Sequence, residues 1–318
     1  VAEIGSDLQV PHPMMRLIQG DVGSGKTVVA AAACAQAVAA GVQAAVMAPT
    51  ELLAEQHWTS FCDWFNDLGV ELAWLSGSQK KADRQASLEA ICGGRASIVV
   101  GTHALFQEGV NFSNLALVII DEQHRFGVHQ RLARRDKGAS GGFHPHQLVM
   151  TATPIPRTLA MAAYADLDTS IIDELPPGRQ AGKTIALPDT RRNEVIERVR
   201  DACAEGQQAY WVCPLIDESE VLDYQAAEAS YEVLTESLDA LSVGLVHGRM
   251  KNTARDKVMR AFKSGDIDVL VATTVIEVGV DVPNASLMII ENSERMGFSQ
   301  RHQLRGRVGR GRDQSHCV

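Results

Sequence analysis

Eight consecutive residues, Gly20-Asp21-Val22-Gly23-Ser24-Gly25-Lys26-Thr27, carry the spacing G-x4-G-K-[ST]. A triphosphate brings several negative charges that must leave water. Glycines let backbone N–H groups turn toward its oxygens, and a helix N-terminus behind the loop adds a favourable dipole. In this pattern Lys26 reaches the β/γ-phosphates and the Thr27 hydroxyl ligates Mg²⁺. A second reactive group is Asp121-Glu122-Gln123-His124, which follows the apolar run Leu115 to Ile120. A carboxylate at the end of such a strand suits Mg²⁺ held through water, and a second beside it can orient and deprotonate an attacking water. Read alone, the pair is equally a solvated acidic turn; the upstream loop tips the reading toward catalysis.

Small hydroxylated residues recur where strands end. Thr50 follows Pro49, Thr102 lies in Gly101-Thr102-His103, and Thr151 and Thr153 bracket Ala152. Such strand ends form the ligand edge of an open parallel sheet. Taken alone, Thr50 is better read as a helix N-cap than as a phosphate contact. Late in the chain, Gln303-Leu304-Arg305-Gly306-Arg307-Val308-Gly309-Arg310 sets three arginines over about two turns if helical, with Arg307 and Arg310 on one face. An arginine reaching a γ-phosphate neutralises developing charge. For Arg305 a plain basic surface is as good a reading. The stretch Thr273 to Asp281 is another Thr/Gly-rich strand end.

These groups need elements to hold them. Met15 to Gln19 reads as a buried strand and Val28 to Ala40 as a helix, the strand-loop-helix setting that the phosphate loop requires. Strands and helices then alternate to the end of the chain, with a break around Leu175-Pro176-Pro177-Gly178-Arg179. That alternation predicts parallel α/β sheets. A chain of 318 residues exceeds what one core fills, so two domains are expected, 1–176 and 177–318. The abrupt ends read as a piece of a longer protein, cut within its second domain. With 45% hydrophobic and 22% charged residues and net charge −9, the composition is that of an ordinary soluble protein, and it argues against a generic basic nucleic-acid coat. No apolar run approaches membrane length and no leader pattern opens the sequence. The six cysteines form no C-x-x-C pair, so reduced, buried thiols are expected rather than zinc or disulfides.

The ordered set GDVGSGKT, APTELLAEQH, GTH, DEQH, TATP, HG, ATTVIEVGVDVP and QLRGRVGR resembles the motifs of superfamily 2 helicases and translocases over essentially the whole chain. DEQHRFGVHQR, TATPIPRTLA, DELPPGR and GLVHGRM are most similar to the RecG family of bacterial branched-DNA helicases. The motor of transcription-repair coupling factors is the runner-up, and a related RNA helicase the further alternative. The resemblance implies two tandem RecA-like doubly wound domains with the ATP site in the cleft between them. It implies ATP and Mg²⁺ as cofactors, branched or duplex DNA as partner, a monomer, and the bacterial cytosol. Lys26, Thr27, Asp121 and Glu122 take the roles above, and Gly20 to Gly25 cradle phosphate. Gln303, Arg307 and Arg310 sense the γ-phosphate, while Gly279 and Asp281 line the cleft. His124, Thr151 and Thr153 couple hydrolysis to movement. Thr50, Thr102 and Thr274 touch DNA backbone. The family's adenine-holding motif, its wedge domain and its C-terminal coupling segment are expected outside these residues.

Overall fold

The structure is a computed structural model that describes residues 1–122, 144–152, 167–174, 182–213, 220–273, 282, 284–309 and 315–318. The chain divides into two compact units, Val1–Glu174 and Leu175–Val318.

The first unit is a parallel sheet with helices packed against it. Its described strands are β1 (Met15–Gly20), β2 (Gln43–Met47), β3 (Leu72–Leu75), β4 (Ile98–Gly101), β5 (Leu115–Asp121), β6 (His146–Thr151) and β7 (Asp168–Ile172), in the order β3-β4-β2-β5-β6-β1-β7. Parallel central strands are buried on both faces and so read as continuous apolar runs; β2 is buried at every position. The helices are α1 (Ala2–Asp7), α2 (Lys26–Ala39), α3 (Glu51–Phe65) and α4 (Lys81–Cys92). Helix α2 sets Ala30, Ala33, Cys34 and Ala37 into the core, small residues that let it lie close to the sheet.

The opening helix α1 has no counterpart in the sequence expectation. It is held by Arg16, 9% exposed, whose guanidinium meets Asp7 at 2.7 Å, Glu3 at 3.4 Å and Asp168 at 3.6 Å. Arg16 thus joins α1 to the edge strand β7, and this explains a cation inside a run read as apolar.

The second unit repeats the plan. Strands β8 (Lys183–Thr184), β9 (Gln208–Val212), β10 (Val243–Val246), β11 (Val269–Ala272), β12 (Ala285–Ile290) and β13 (His316–Cys317) run in the order β10-β11-β9-β12-β13-β8. The helices are α5 (Arg192–Ala204), α6 (Glu220–Ser237), α7 (Asn252–Ser264) and α8 (Phe298–Arg305).

The likeness extends to single residues. Gln43 opens β2 and Gln208 opens β9, and the sheet register slips just after each, between Gln43 and Ala44 against β5 and between the partners Ala285 and Leu287 of β9. Each glutamine is buried and bonds two carbonyls, one in the last turn of a helix and one just beyond it: Ile91 and Ala96 for Gln43, Phe262 and Ile267 for Gln208. In this register Asp121-Glu122 corresponds to Glu291-Asn292. Among the described residues, Glu122 and Asn292 are the non-glycine residues with positive φ, 48° and 47°. Where Lys26 opens α2, Arg192 opens α5, and its guanidinium is salt-bridged to Glu291 at 2.8 Å.

Candidate active site

The phosphate loop leaves β1 at Gly20 and enters α2 at Lys26. Gly25 caps the helix with φ 93°, a left-handed backbone that a side chain would strain. A Cβ on Gly20 would meet Ser24 Oγ at 2.6 Å and Ile172 Cβ at 3.0 Å, so the loop closes tightly over the strand end. Val22 N–H donates to Asp21 Oδ1 at 2.8 Å. The Lys26 ammonium donates to the Gly20 and Asp21 carbonyls, both at 2.8 Å. The Ser24 hydroxyl is buried and finds no partner among the described residues. An N–H-rich loop with an orphaned hydroxyl and a lysine held on weak carbonyl acceptors fits an incoming polyanion. Thr27 lies in the first turn of α2 and is half-buried.

Asp121 is the last residue of β5 and 9% exposed. Burial raises its pKa, yet the net displacement is downward. The His57 hydrogen bond and charge, then the Lys26 charge and the Glu122 backbone bond, favour the carboxylate and prevail. His57 Nε2 stands 2.8 Å from Asp121 Oδ2. Because Asp121 is held ionised, the ring nitrogen carries the proton and donates.

Glu122 follows in the left-handed region, which turns its side chain away from the strand line. Its Oε2 accepts from the Thr151 hydroxyl at 3.2 Å and its Oε1 from the Ala152 N–H at 3.3 Å. Thr151 ends β6, the strand lying between β5 and β1. The acidic pair, Thr151 and the phosphate loop therefore share one sheet edge, at three adjacent strands.

The remaining sequence candidates are placed as follows. Thr50 accepts from Leu53 N–H at 3.4 Å and Thr102 from Ala104 N–H at 3.5 Å, both as helix caps. In the second unit Gln303 is 8% exposed on α8, next to the buried Leu304. The helical spacing read for the arginines needs correction: α8 ends at Arg305 with Gly306 as its C-cap, and Gly309 has φ 77°. Arg307 therefore lies past the helix. Arg305 is tied down locally, donating to the Gly182 carbonyl at 2.5 Å and the Thr184 hydroxyl at 3.2 Å. Arg310, Gly279, Asp281, Thr274, His124 and Thr153 lie outside the described residues. Sequence reasoning missed His57. Its signal is spacing: two helical turns beyond the cap Thr50, on the helix following β2, which pairs with β5.

Residues 9–162 match the DEAD/DEAH box helicase family, and residues 191–312 match the helicase conserved C-terminal domain. The chain is 66% identical over 319 residues to the ATP-dependent DNA helicase RecG of Escherichia coli (strain K12), covering 100% of this chain and 46% of that protein. It is 65% identical to the RecG of Haemophilus influenzae at the same coverage. The chain belongs to the RecG family of helicases. A solved structure described as RecG bound to a three-way DNA junction superposes with a TM-score of 0.83 at 45% identity, covering 99% of this chain and 41% of that one. A yeast Dbp5 structure, with RNA and ADP BeF3, superposes at a TM-score of 0.70 and 14% identity, which shows the shared RecA-like fold. The chain spans about half the length of the RecG relatives it matches.

Among the described residues, no helix is long and apolar enough to cross a membrane.

Proposed function

We propose that this chain is the motor core of an ATP-dependent helicase that remodels branched DNA, such as stalled forks and Holliday junctions, in repair and recombination. ATP hydrolysis would drive movement on duplex DNA, by a monomer in the bacterial cytosol. The observation that carries the reading is the meeting of the phosphate loop, Asp121 and Glu122 at one sheet edge, with Lys26 close enough to bias the Asp121 charge.

In this reading the loop N–H groups and the Ser24 hydroxyl bind the phosphates. Lys26 exchanges the Gly20 and Asp21 carbonyls for phosphate oxygens, trading neutral acceptors for charged ones. Thr27 and Asp121 hold Mg²⁺, which when bound neutralises charge on the phosphate oxygens. Glu122 orients the attacking water and takes its proton; the Thr151 and Ala152 donors fix the direction of its carboxylate. Gln303, Arg307 and Arg310 would sense the γ-phosphate, and Gly279 and Asp281 would line the nucleotide site. Closure assembles the site and hydrolysis releases it. His124, Thr151 and Thr153 pass that change on, while Thr50, Thr102 and Thr274 grip DNA backbone without reading sequence.

The test is steady-state ATP hydrolysis by the full-length protein with forked DNA, linear duplex or RNA, beside Lys26→Ala. Activity stimulated most by forked DNA and lost in the variant supports the reading. Equal activity in Lys26→Ala refutes the assignment of the phosphate loop, and preferential stimulation by RNA refutes the substrate.

A further inference from the structure

His57 stands outside the roles assigned so far, yet it makes the short contact to the proposed metal carboxylate. Its ring is 7% exposed, and its Nε2 lies 2.8 Å from Asp121 Oδ2, across 64 residues of sequence. A buried polar ring bonded to a buried carboxylate needs good geometry, since either group alone would leave the other desolvated and unpaired.

The helix that carries His57 is firmly seated. Ala54, Phe61 and Phe65 on α3 are buried in the core. Its first turn is tied down by Glu51, whose carboxylate accepts from Ser78 N–H at 3.0 Å and the Ser78 hydroxyl at 2.7 Å. His57 follows the cap Thr50 by about 10 Å of helix.

We propose that His57 is a positioning residue for the metal site: its ring holds one oxygen of Asp121 so that the other is presented to Mg²⁺ in a fixed direction, and it makes that direction depend on where α3 sits. This rests on the metal role proposed for Asp121. The physical basis is general. A ligand carboxylate free to rotate loses affinity and geometry, and partners that hold metal ligands are worth 10–100-fold in metal affinity or activity. The contact also gives α3 a mechanical output. Thr50, proposed to meet DNA backbone, and His57, on the metal carboxylate, sit on one rigid helix, so displacement of the helix start displaces the ligand.

The experiment compares His57→Met, which keeps volume without a donor, with His57→Gln, whose amide nitrogen can take the place of Nε2. Binding of a fluorescent ADP analogue to the full-length protein is titrated against Mg²⁺, with kcat and KM for ATP measured at saturating Mg²⁺. For His57→Met the Mg²⁺ concentration giving half-maximal enhancement of binding rises about 10–100-fold. Metal-free nucleotide binding is unchanged, and kcat falls more than KM changes. His57→Gln restores most of the Mg²⁺ response. An unchanged Mg²⁺ titration in His57→Met, or a His57→Gln variant as defective as His57→Met, overturns the proposal. Two controls separate its failure from that of the underlying reading. Asp121→Asn with an unchanged Mg²⁺ response refutes the metal assignment itself, and Lys26→Ala with unchanged nucleotide binding refutes the nucleotide site.

Discussion

Replacing Gln43 with methionine, a near-isostere, is expected to loosen the first unit far more than the same change at Gln208 loosens the second. Gln43 is 3% exposed. Its amide nitrogen donates to the Ile91 and Ala96 carbonyls at 2.9 and 2.8 Å, and its oxygen accepts from Asn114 N–H at 2.9 Å. Ile91 O also accepts from Gly94 N–H at 3.2 Å and keeps a partner. The substitution therefore strands the Ala96 carbonyl and the Asn114 N–H. At about 1–3 kcal/mol for the buried carbonyl and about 1 kcal/mol for the N–H of the exposed Asn114, the cost is about 3 kcal/mol. Gln208 differs in detail. Its nitrogen donates to Phe262 O at 2.6 Å and Ile267 O at 2.7 Å, and Phe262 O also accepts from Gly265 N–H. Its own Oε1 is buried without a partner among the described residues. Gln208→Met thus strands one carbonyl and removes an oxygen that was already unsatisfied, for about 1 kcal/mol. Native-state hydrogen exchange read by mass spectrometry on the full-length protein reports each unit separately. Globally protected amides of the first unit should exchange about 150-fold faster in Gln43→Met, the equivalent of about 3 kcal/mol. A Gln43→Met penalty no larger than that of Gln208→Met would refute the reasoning, because it would mean that these bonds are replaced by water at no cost.

Four further outcomes are expected. Glu122→Gln should keep ATP binding while turnover falls about 10²–10⁴-fold, read by single-turnover hydrolysis beside equilibrium binding. Lys26→Ala should weaken nucleotide binding by at least about tenfold, measured by titration calorimetry, since a charged hydrogen-bonding partner of the phosphates is lost. Asp121 has a folded-state pKa below its ordinary 3.8, so it contributes stability that is present above that value and is lost as pH falls through the lower folded value. Asp121→Asn should accordingly flatten the acid limb of the stability profile below about pH 4, followed by acid titration with circular dichroism. Alkylation at pH 8 mapped by mass spectrometry should find Cys92, which is exposed, modified first. Cys203 and Cys213, whose thiols burial pushes up to about 12, and the deeper Cys34 should react slowest.

The alternation of strands and helices and the phosphate loop were legible because they are local. Apolar runs fix β2 and β5, and the spacing from Gly20 to Thr27 fixes the turn into α2. What escaped depends on partners far away in sequence. Arg16 looked out of place in an apolar strand because its carboxylates come from α1 and β7. His57 looked like one more residue of a polar helix because Asp121 lies 64 positions on. The arginine spacing depended on a helix continuing through Arg307, whereas Gly306 ends α8 and Arg305 bonds the Thr184 hydroxyl of β8. The Thr50 cap was read correctly, and its proposed contact with a polymer is a property of a surface that spacing alone does not display.

The matching register slips, the paired glutamines and the shared left-handed turn at Glu122 and Asn292 make the two units variants of one plan. Their counter-ions differ. In the first unit Lys26 donates to the Gly20 and Asp21 carbonyls, and Asp121 is bonded to His57. In the second, Arg192 and Glu291 neutralise each other within the chain. By mass action, a ligand at a hundred times its dissociation constant adds about 2.7 kcal/mol to the fold that binds it. On the proposed nucleotide site, the stability of the first unit would follow the nucleotide supply, while the second carries in Arg192 and Glu291 a pairing written into its own sequence.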